Sequence, residues 1–458
     1  MKTMLKKLLS KINTMEPAQV MVIGFGVVIL FGGLILNLPI ATKSGESAGF
    51  LNALFTSTSA VCVTGLIVVD TSTYWSEFGQ FVIITLIQTG GFGFMTIATM
   101  FSLLIGKKIN LRERLLIQES LNQRDLSGLV KLTRYIIMMT FAIEGIGALL
   151  LSMVFIPEFG LLKGIWYSIF HSISAFCNAG FDLMGTTTGE FSSLMSFVDN
   201  ALINFVIGGL IILGGIGFPV ILDVINNRKY SKLNIHSKIV INTSAILIIL
   251  GFLFIFIAEF NNKASLGDLS MKEKLLSSFF QSVTLRTAGY TTIDLSLLKE
   301  STLFFMIILM IIGASPASTG GGLKTTTVAT LFLTVKSFIL GKEDIEVYQR
   351  RIGDTTVKKS LGIFFIGVFI ALFGTLILTI VNPEYTLIES IFEVVSAFAT
   401  VGLSIGGTPS LTVLGKILIM MLMFLGRVGS LTIFIALLSR NNKVKSKIRY
   451  PEGKIIVG

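Results

Sequence analysis

The charges in this chain are placed so that eight long stretches carry none, or only one. These are residues 17–42, 78–106, 135–157, 200–222, 239–258, 301–323, 360–383 and 417–439, interrupted only by Glu144 and Arg427. A helix crossing a bilayer needs about 20 mostly apolar residues, and each stretch is long enough. The composition agrees. Apolar types make up 52% and charged types 14% of the chain, against roughly 25% charged in soluble domains. A soluble enzyme, a disordered tail protein and a nucleic-acid binder are excluded. The formal charge of +11 then reads as Lys and Arg crowded on cytoplasmic loops, not as a nucleic-acid partner. Two Cys rule out a disulfide scaffold or a Cys-rich metal site. The two His, His171 and His236, lack HExxH spacing, so a zinc hydrolase is not expected.

Two further uncharged stretches, 47–69 and 394–415, and a shorter one, 164–181, are apolar only in their first half. The second half turns polar and contains Gly, as in Thr56-Ser57-Thr58-Ser59 running to Thr64-Gly65. A lipid-facing helix would not do this. A re-entrant helix followed by an irregular loop would, because non-helical backbone at membrane depth must be buried in protein or line water. The N-terminus has no small-residue cleavage site after a short apolar region, so no cleaved signal peptide is expected. With both termini inside and eight crossings, 27 of the 37 Lys and Arg fall on inside segments. Lys2, Lys6, Lys7 and Lys11 form one of those segments. Seven fall outside, and Arg286, Lys324 and Arg427 lie at membrane depth. This asymmetry supports cytoplasmic termini.

The half-polar stretches repeat. They read FTSTSAVCVTG ending at Gly65, FHSISAFCNAG at Gly180, FQSVTLRTAG at Gly289 with one Phe more before it, and FEVVSAFATVG at Gly402. Each has Phe ten residues before its Gly. Ser59, Ser174 and Ser396 stand six before it, with Val283 in the third copy. The glycines are 115, 109 and 113 residues apart, and every copy sits between two spans. The unit is therefore span, re-entrant helix, Gly-ended loop, span, four times over. It divides the chain into repeat 1 (1–106), repeat 2 (107–225), repeat 3 (226–341), repeat 4 (342–440) and a C-terminal tail (441–458). The expected fold is an all-α polytopic membrane protein. Eight transmembrane helices and four re-entrant pore helices form four-fold pseudosymmetric repeats around one pore. Four helix C-termini aimed at that axis favour a cation. Gly lets each loop turn its carbonyls toward the ion, as in a potassium filter.

These four Gly-ended loops, with the Gly-rich interruption described below, closely resemble the Trk/Ktr/HKT superfamily of cation transporters. The length, eight spans and basic tail are most similar to Ktr membrane subunits of the KtrB type. The resemblance implies a bacterial plasma-membrane protein that moves K+ and needs no cofactor of its own. It also implies a homodimer regulated by a cytosolic nucleotide-binding ring of the KtrA type. The filter would be Val63-Thr64-Gly65, Asn178-Ala179-Gly180, Thr287-Ala288-Gly289 and Thr400-Val401-Gly402, with K+ held by backbone carbonyls. In this family a Ser in place of the first Gly goes with sodium; all four Gly are present, which favours potassium.

The second span of repeat 3 is abnormal. Its stretch 313–327 holds Gly313, Pro316, Gly320, Gly321, Gly322 and Lys324, a run that cannot stay helical and must line a cavity or be shielded. The resemblance implies that this stretch is an intramembrane gate under the filter, and that Arg427 matches an arginine that holds it shut. GGGLKTT is not a phosphate loop, since Lys does not follow Gly directly and no strand precedes it. Gly90-Gly91-Gly93, Gly214-Gly215-Gly217 and Gly426-Gly429 read as close-packed kinks. Cys62 and Cys177 read as small fillers and His171 as a packed helix residue. Arg286 should point away from the ion and hold the loop through carbonyls or a carboxylate. Glu144 has two open readings, a partnership with Lys324 or Arg427, or a structural ion pair elsewhere. The rival readings are a sodium-selective or alternating-access secondary cation transporter. Folds of the latter kind usually show two repeats and paired broken helices. A membrane enzyme is excluded by the lack of paired carboxylates or a Ser/Lys dyad in the spans.

Overall fold

The computed structural model describes residues 15–93 and 129–429, with Thr96, Thr99, 114–116, Gln118, Thr432 and Ile433. The N-terminal lysines, most of the basic segment 107–134 and the tail 441–458 lie outside the described residues.

The described chain is mostly helical. In chain order the main helices are α1 (Pro17–Leu36), α2 (Phe50–Cys62), α3 (Glu77–Phe92), α4 (Leu129–Phe159), α5 (Leu161–Phe176), α6 (Ala201–Ile216) and α7 (Phe218–Asn227). They continue as α8 (Ile235–Glu259), α9 (Met271–Thr284), α10 (Glu300–Ile311) and α11 (Thr325–Ile339). After a two-stranded hairpin, β1 (Glu346–Val347) and β2 (Arg350–Arg351), come α12 (Asp354–Val381), α13 (Leu387–Ala399) and α14 (Val413–Val428).

Helices α1, α4, α8 and α12 are long and apolar enough to cross a membrane; α6 and α7, bent by 98° at Gly217, make a fifth if counted as one span. Large apolar side chains such as Phe31, Leu149, Ile257 and Phe369 stand exposed on the four long helices. Exposed apolar side chains in this number mark surface that faces a membrane or another protein. Helices α4, α8 and α12 start earlier than their uncharged windows, because Lys131, Arg134, Lys238, Lys358 and Lys359 sit in their first two turns. The first charge marks the water boundary, and helical hydrogen bonding continues beyond it.

The other helices expected to cross are shorter than their windows. Each of α3, α6 and α14 stops at a glycine with positive φ: Gly93 (75°), Gly217 (98°) and Gly429 (93°). That left-handed geometry suits only Gly. The outer members of these glycine groups are thus helix stops; Gly217 is also the packed kink that the sequence suggests, since a Cβ there would lie 2.6 Å from the Pro316 carbonyl oxygen. Their partners Gly90, Gly214 and Gly426 do pack closely. A Cβ there would run into the carbonyls of Val61, Phe176 and Phe398, all on or next to the short helices.

Helices α2, α5, α9 and α13 are short and buried. The first two start after left-handed Gly49 and Gly160; the last two carry capping boxes, Ser270/Glu273 and Thr386/Glu389. Each packs at a glycine on the long helix that precedes it. A Cβ on Gly32, Gly147, Gly251 or Gly374 would meet Ser57, Ser172, Ser282 or Val394. The three serines also donate to carbonyls of that helix: Ser57 to Ile29 (2.7 Å), Ser172 to Glu144 (2.6 Å) and Ser282 to Ile248 (2.6 Å). Ser282 matches Ser57 only if the third copy lacks one residue. Its counterpart of Phe55 is then the fully buried Phe280, not Phe279.

Candidate ion site: a glycine ring and the loop beneath it

The four expected loops meet. A Cβ on Gly65 would lie 2.5 Å from the Ala179 carbonyl oxygen, one on Gly180 2.5 Å from that of Ala288, and one on Gly289 2.9 Å from that of Val401. A Cβ on Gly402 would run into the Thr64 carbonyl, which closes the circle. Each glycine therefore abuts the residue before the next glycine, once around. All four have positive φ, 96°, 70°, 82° and 87° in order. So do the residues two earlier, Val63 (55°), Asn178 (58°), Thr287 (66°) and Thr400 (52°). Three of those are β-branched, and left-handed backbone is a genuine outlier for such residues. Strain of this kind persists where surrounding structure over-determines it, and it clusters at functional sites.

What holds each loop is a pair of bonds to the short helix before it. The nitrogens of Thr64, Ala179, Ala288 and Val401 donate to the carbonyls of Ser59 (2.9 Å), Ser174 (2.8 Å), Thr284 (3.0 Å) and Ser396 (2.8 Å). The same four hydroxyls bridge to the far side of the loop. Ser59 and Ser396 accept from Gly65 N and Gly402 N, both at 3.1 Å. Ser174 and Thr284 donate to the carbonyls of Phe181 (2.8 Å) and Tyr290 (2.6 Å). Thr284, not Val283, thus takes the serine role in the third copy. The one-residue deletion hid it from residue counting.

The ring glycines line one cavity of about 420 Å³, together with Asp182, Glu190 and Asp294. A second cavity, of about 250 Å³, is lined by Pro316, Gly320, Gly322, Lys324 and Arg427. Between the two lies the Gly-rich stretch, irregular from Ile312 to Lys324; Thr325–Thr327 already belong to α11. Ile312 and Leu323 pair at its base. The side chains two before the glycines meet it. Asn178 Oδ1 accepts from the Thr319 hydroxyl (2.9 Å) and Thr400 Oγ1 accepts from Gly321 N (2.9 Å). Thr287 Oγ1 lies where a Cβ on Gly320 would be. Val63, the apolar one of the four, has no such bond.

Helix ends fix the loop sideways. The last carbonyls of a helix lack intrahelical partners. Gly215 and Gly214 at the end of α6 accept from Ser315 N (2.9 Å) and Thr319 N (3.2 Å), while Phe218 N donates to Ala317 O (3.0 Å). Opposite, Arg427 donates to the carbonyl of Thr319 and to that of Gly90, at the end of α3. One guanidinium ties the loop to two other helices, the donor role expected of it. Lys324 Nζ closes the loop on itself through Gly320 O (2.7 Å). Thr319, the residue most bonded across this junction, was not singled out in the sequence; a Thr inside a glycine run was the available signal.

Two charges behave otherwise than expected. Glu144 pairs with neither Lys324 nor Arg427; it accepts from Gln88 Nε2 (3.1 Å) and lies 3.9 Å from the Cys177 thiol. Arg286 does turn to the scaffold, with Nη2 3.5 Å from Ser244 Oγ on α8, but among the described residues no carboxylate takes it. Its Nη1 is buried without a hydrogen-bond partner. Cys62 and Cys177 are buried free thiols. His171 is packed among Phe155, Phe170 and Tyr290.

Residues 6–445 match the family of TrkH cation transport proteins. The chain belongs to this family. Its members are ion transporters and not enzymes. The chain is 43% identical to the potassium/sodium uptake protein NtpJ of Enterococcus hirae, covering 100% of both chains. It is 41% identical to the Ktr system potassium uptake protein B of Bacillus subtilis, over 96% of this chain and 97% of that protein. The fold is similar to the crystal structure of the potassium transporter TrkH from Vibrio parahaemolyticus, with a TM-score of 0.70 at 18% identity. That likeness covers 91% of this chain and 83% of that one.

Proposed function

We propose that this protein is the pore-forming subunit of a potassium uptake system in a bacterial plasma membrane. The observation that carries the reading is the closed circle of Gly65, Gly180, Gly289 and Gly402, each against the carbonyl-bearing residue before the next. Carbonyls gathered in this way replace an ion's water shell. The residues 63–65, 178–180, 287–289 and 400–402 form the selectivity filter. The four span–pore helix–span units, eight spans in all, surround it with four-fold pseudosymmetry, and both termini are cytoplasmic. The stretch Ile312–Lys324 is the gate, held closed by Arg427. The protein works as a homodimer under a cytosolic nucleotide-binding ring.

The relative named for potassium and sodium keeps both ions in the test. Expression in a bacterium lacking potassium uptake should restore growth at low potassium, with and without a ring partner, and purified protein in liposomes should take up K+ in preference to Na+. Uptake of Na+ alone would favour the sodium-selective reading. Flux that saturates with one ion per conformational cycle would favour alternating access.

A further inference from the structure

The residue after the repeat phenylalanine on each pore helix differs in chemistry. Thr56, His171, Gln281 and Glu393 follow Phe55, Phe170, Phe280 and Phe392. All four are buried, and His171, Gln281 and Glu393 completely so. A buried polar group is costly without a partner, so one such group per repeat at a single structural position points to a shared task.

Three of the four find their partner in the same place, the chain just beyond the ring. His171 Nε2 accepts from Leu183 N at 3.3 Å, three residues past Gly180. Its Nδ1 lies 2.7 Å from the Tyr167 carbonyl, which can only accept, so the ring proton sits on Nδ1 and Nε2 is free to accept. Gln281 Oε1 accepts from the Thr291 hydroxyl at 3.2 Å, two residues past Gly289. Glu393 accepts from Ser404, two residues past Gly402, and from Thr408 at 2.8 Å. Ser404 Oγ accepts in turn from Gly406 N at 3.1 Å, so the turn after the ring hangs on this carboxylate. Thr56 stays within its own helix, bonded to Asn52 O at 3.0 Å. Thr291, Ser404 and Thr408 line the outer cavity, so these bonds set its wall.

We infer that His171, Gln281 and Glu393 are positioning residues for the ion path: each pins the segment that leaves a ring glycine, and so fixes the spacing of the ring carbonyls from behind. The inference rests on reading the ring as the filter. Glu393 dominates, since it holds two hydroxyls and through them residues 404–408. Its loss frees the exit of the fourth loop without altering a residue of the ring. A group that merely stabilised the fold would change the yield of folded protein and leave each folded molecule's affinity for its ion as it was.

The experiment measures apparent KM and maximal flux for K+ and Na+ in liposomes, using intact protein that is monodisperse by size exclusion. The variants are Glu393→Leu, Glu393→Gln, Ser390→Ala and Gly402→Ala. Ser390 lies on the same helix and makes none of these bonds. Glu393→Leu should raise the KM for K+ relative to Na+ by about tenfold, the scale of one or two lost hydrogen bonds, with maximal flux little changed. Glu393→Gln keeps the size and one acceptor and should recover part of the effect; Ser390→Ala should match wild type. If Glu393→Leu does not fold, Ser404→Ala/Thr408→Ala removes the same bonds from the loop side and should give the same shift. An unchanged KM ratio in these variants, while Gly402→Ala changes it, overturns the positioning role and leaves the filter standing. An unchanged ratio in Gly402→Ala as well overturns both.

Discussion

Replacing the ring glycines one at a time by alanine should grade the loss of ion preference in an order set by the geometry. Each alanine must hold a left-handed φ, which costs an L-residue roughly 1–2 kcal/mol. That term is shared by all four. The added methyl separates them. On Gly289 it would sit 2.9 Å from the Val401 carbonyl oxygen, so the neighbour must retreat by about 0.5 Å to reach an ordinary 3.4 Å contact. On Gly65 or Gly180 the separation is 2.5 Å, and the retreat about 0.9 Å. On Gly402 the methyl would overlap the Thr64 carbonyl outright. A carbonyl displaced that far no longer replaces a water of the ion's shell. The expected order of damage is Gly402, then Gly65 with Gly180, then Gly289. A loss of about 1.4 kcal/mol in K+ over Na+ discrimination is tenfold in the KM ratio, and Gly65→Ala should show at least that. Flux of both ions into liposomes, with folding checked by size exclusion, measures it. Folded Gly402→Ala with a wild-type ratio, or Gly289→Ala as the worst of the four, would refute the reasoning.

Arg427→Ala removes charge-assisted bonds to Thr319 and Gly90, each worth about 1.5–3 kcal/mol, so flux without a partner should rise about tenfold or more. Deleting Gly320–Gly322 should raise it further and abolish dependence on the partner; folded protein with lower flux than wild type would make the stretch structural. Asp182, in the loop beyond Gly180, has its carboxyl pushed up to about 7 by burial first and then by the charge of Asp70. It is neutral below that pH and gains its charge above it, so the KM for K+ should fall as external pH rises through about 7. Asp182→Asn should flatten that profile, and a pH dependence surviving in the variant would exclude Asp182 as its source. A cytosolic nucleotide-binding ring protein should co-purify with the full chain and be lost on deleting residues 443–458; retention would leave the tail to lipid or assembly.

Much of the architecture can be read in the residues because two simple signals coincide. Charge-free windows locate the long helices, and the Phe-to-Gly interval recurs between them. The loops at Gly65, Gly180 and Gly402 follow from that alone. The third loop is one residue shorter, so aligning on Phe279 and Gly289 hid the roles of Phe280 and Thr284. Partners are a different matter. Glu144 meets Gln88, 56 residues away, and Arg427 meets Gly90, 337 residues away. Such pairs depend on how helices far apart in the chain pack together, which no local pattern encodes. Helix length is hidden for the same reason. A glycine in an apolar run looks identical whether it packs, as Gly90 does, or ends the helix, as Gly93 does.

Locating a bound ion is the decisive observation. Rubidium, a potassium substitute with a strong anomalous signal, can be soaked into crystals of the protein and mapped by anomalous scattering. The expected peak lies on the axis within coordination distance of the carbonyls of Thr64, Ala179, Ala288 and Val401. A rubidium peak elsewhere in the protein, with the space inside the glycine ring empty, would contradict a four-loop filter at Gly65, Gly180, Gly289 and Gly402.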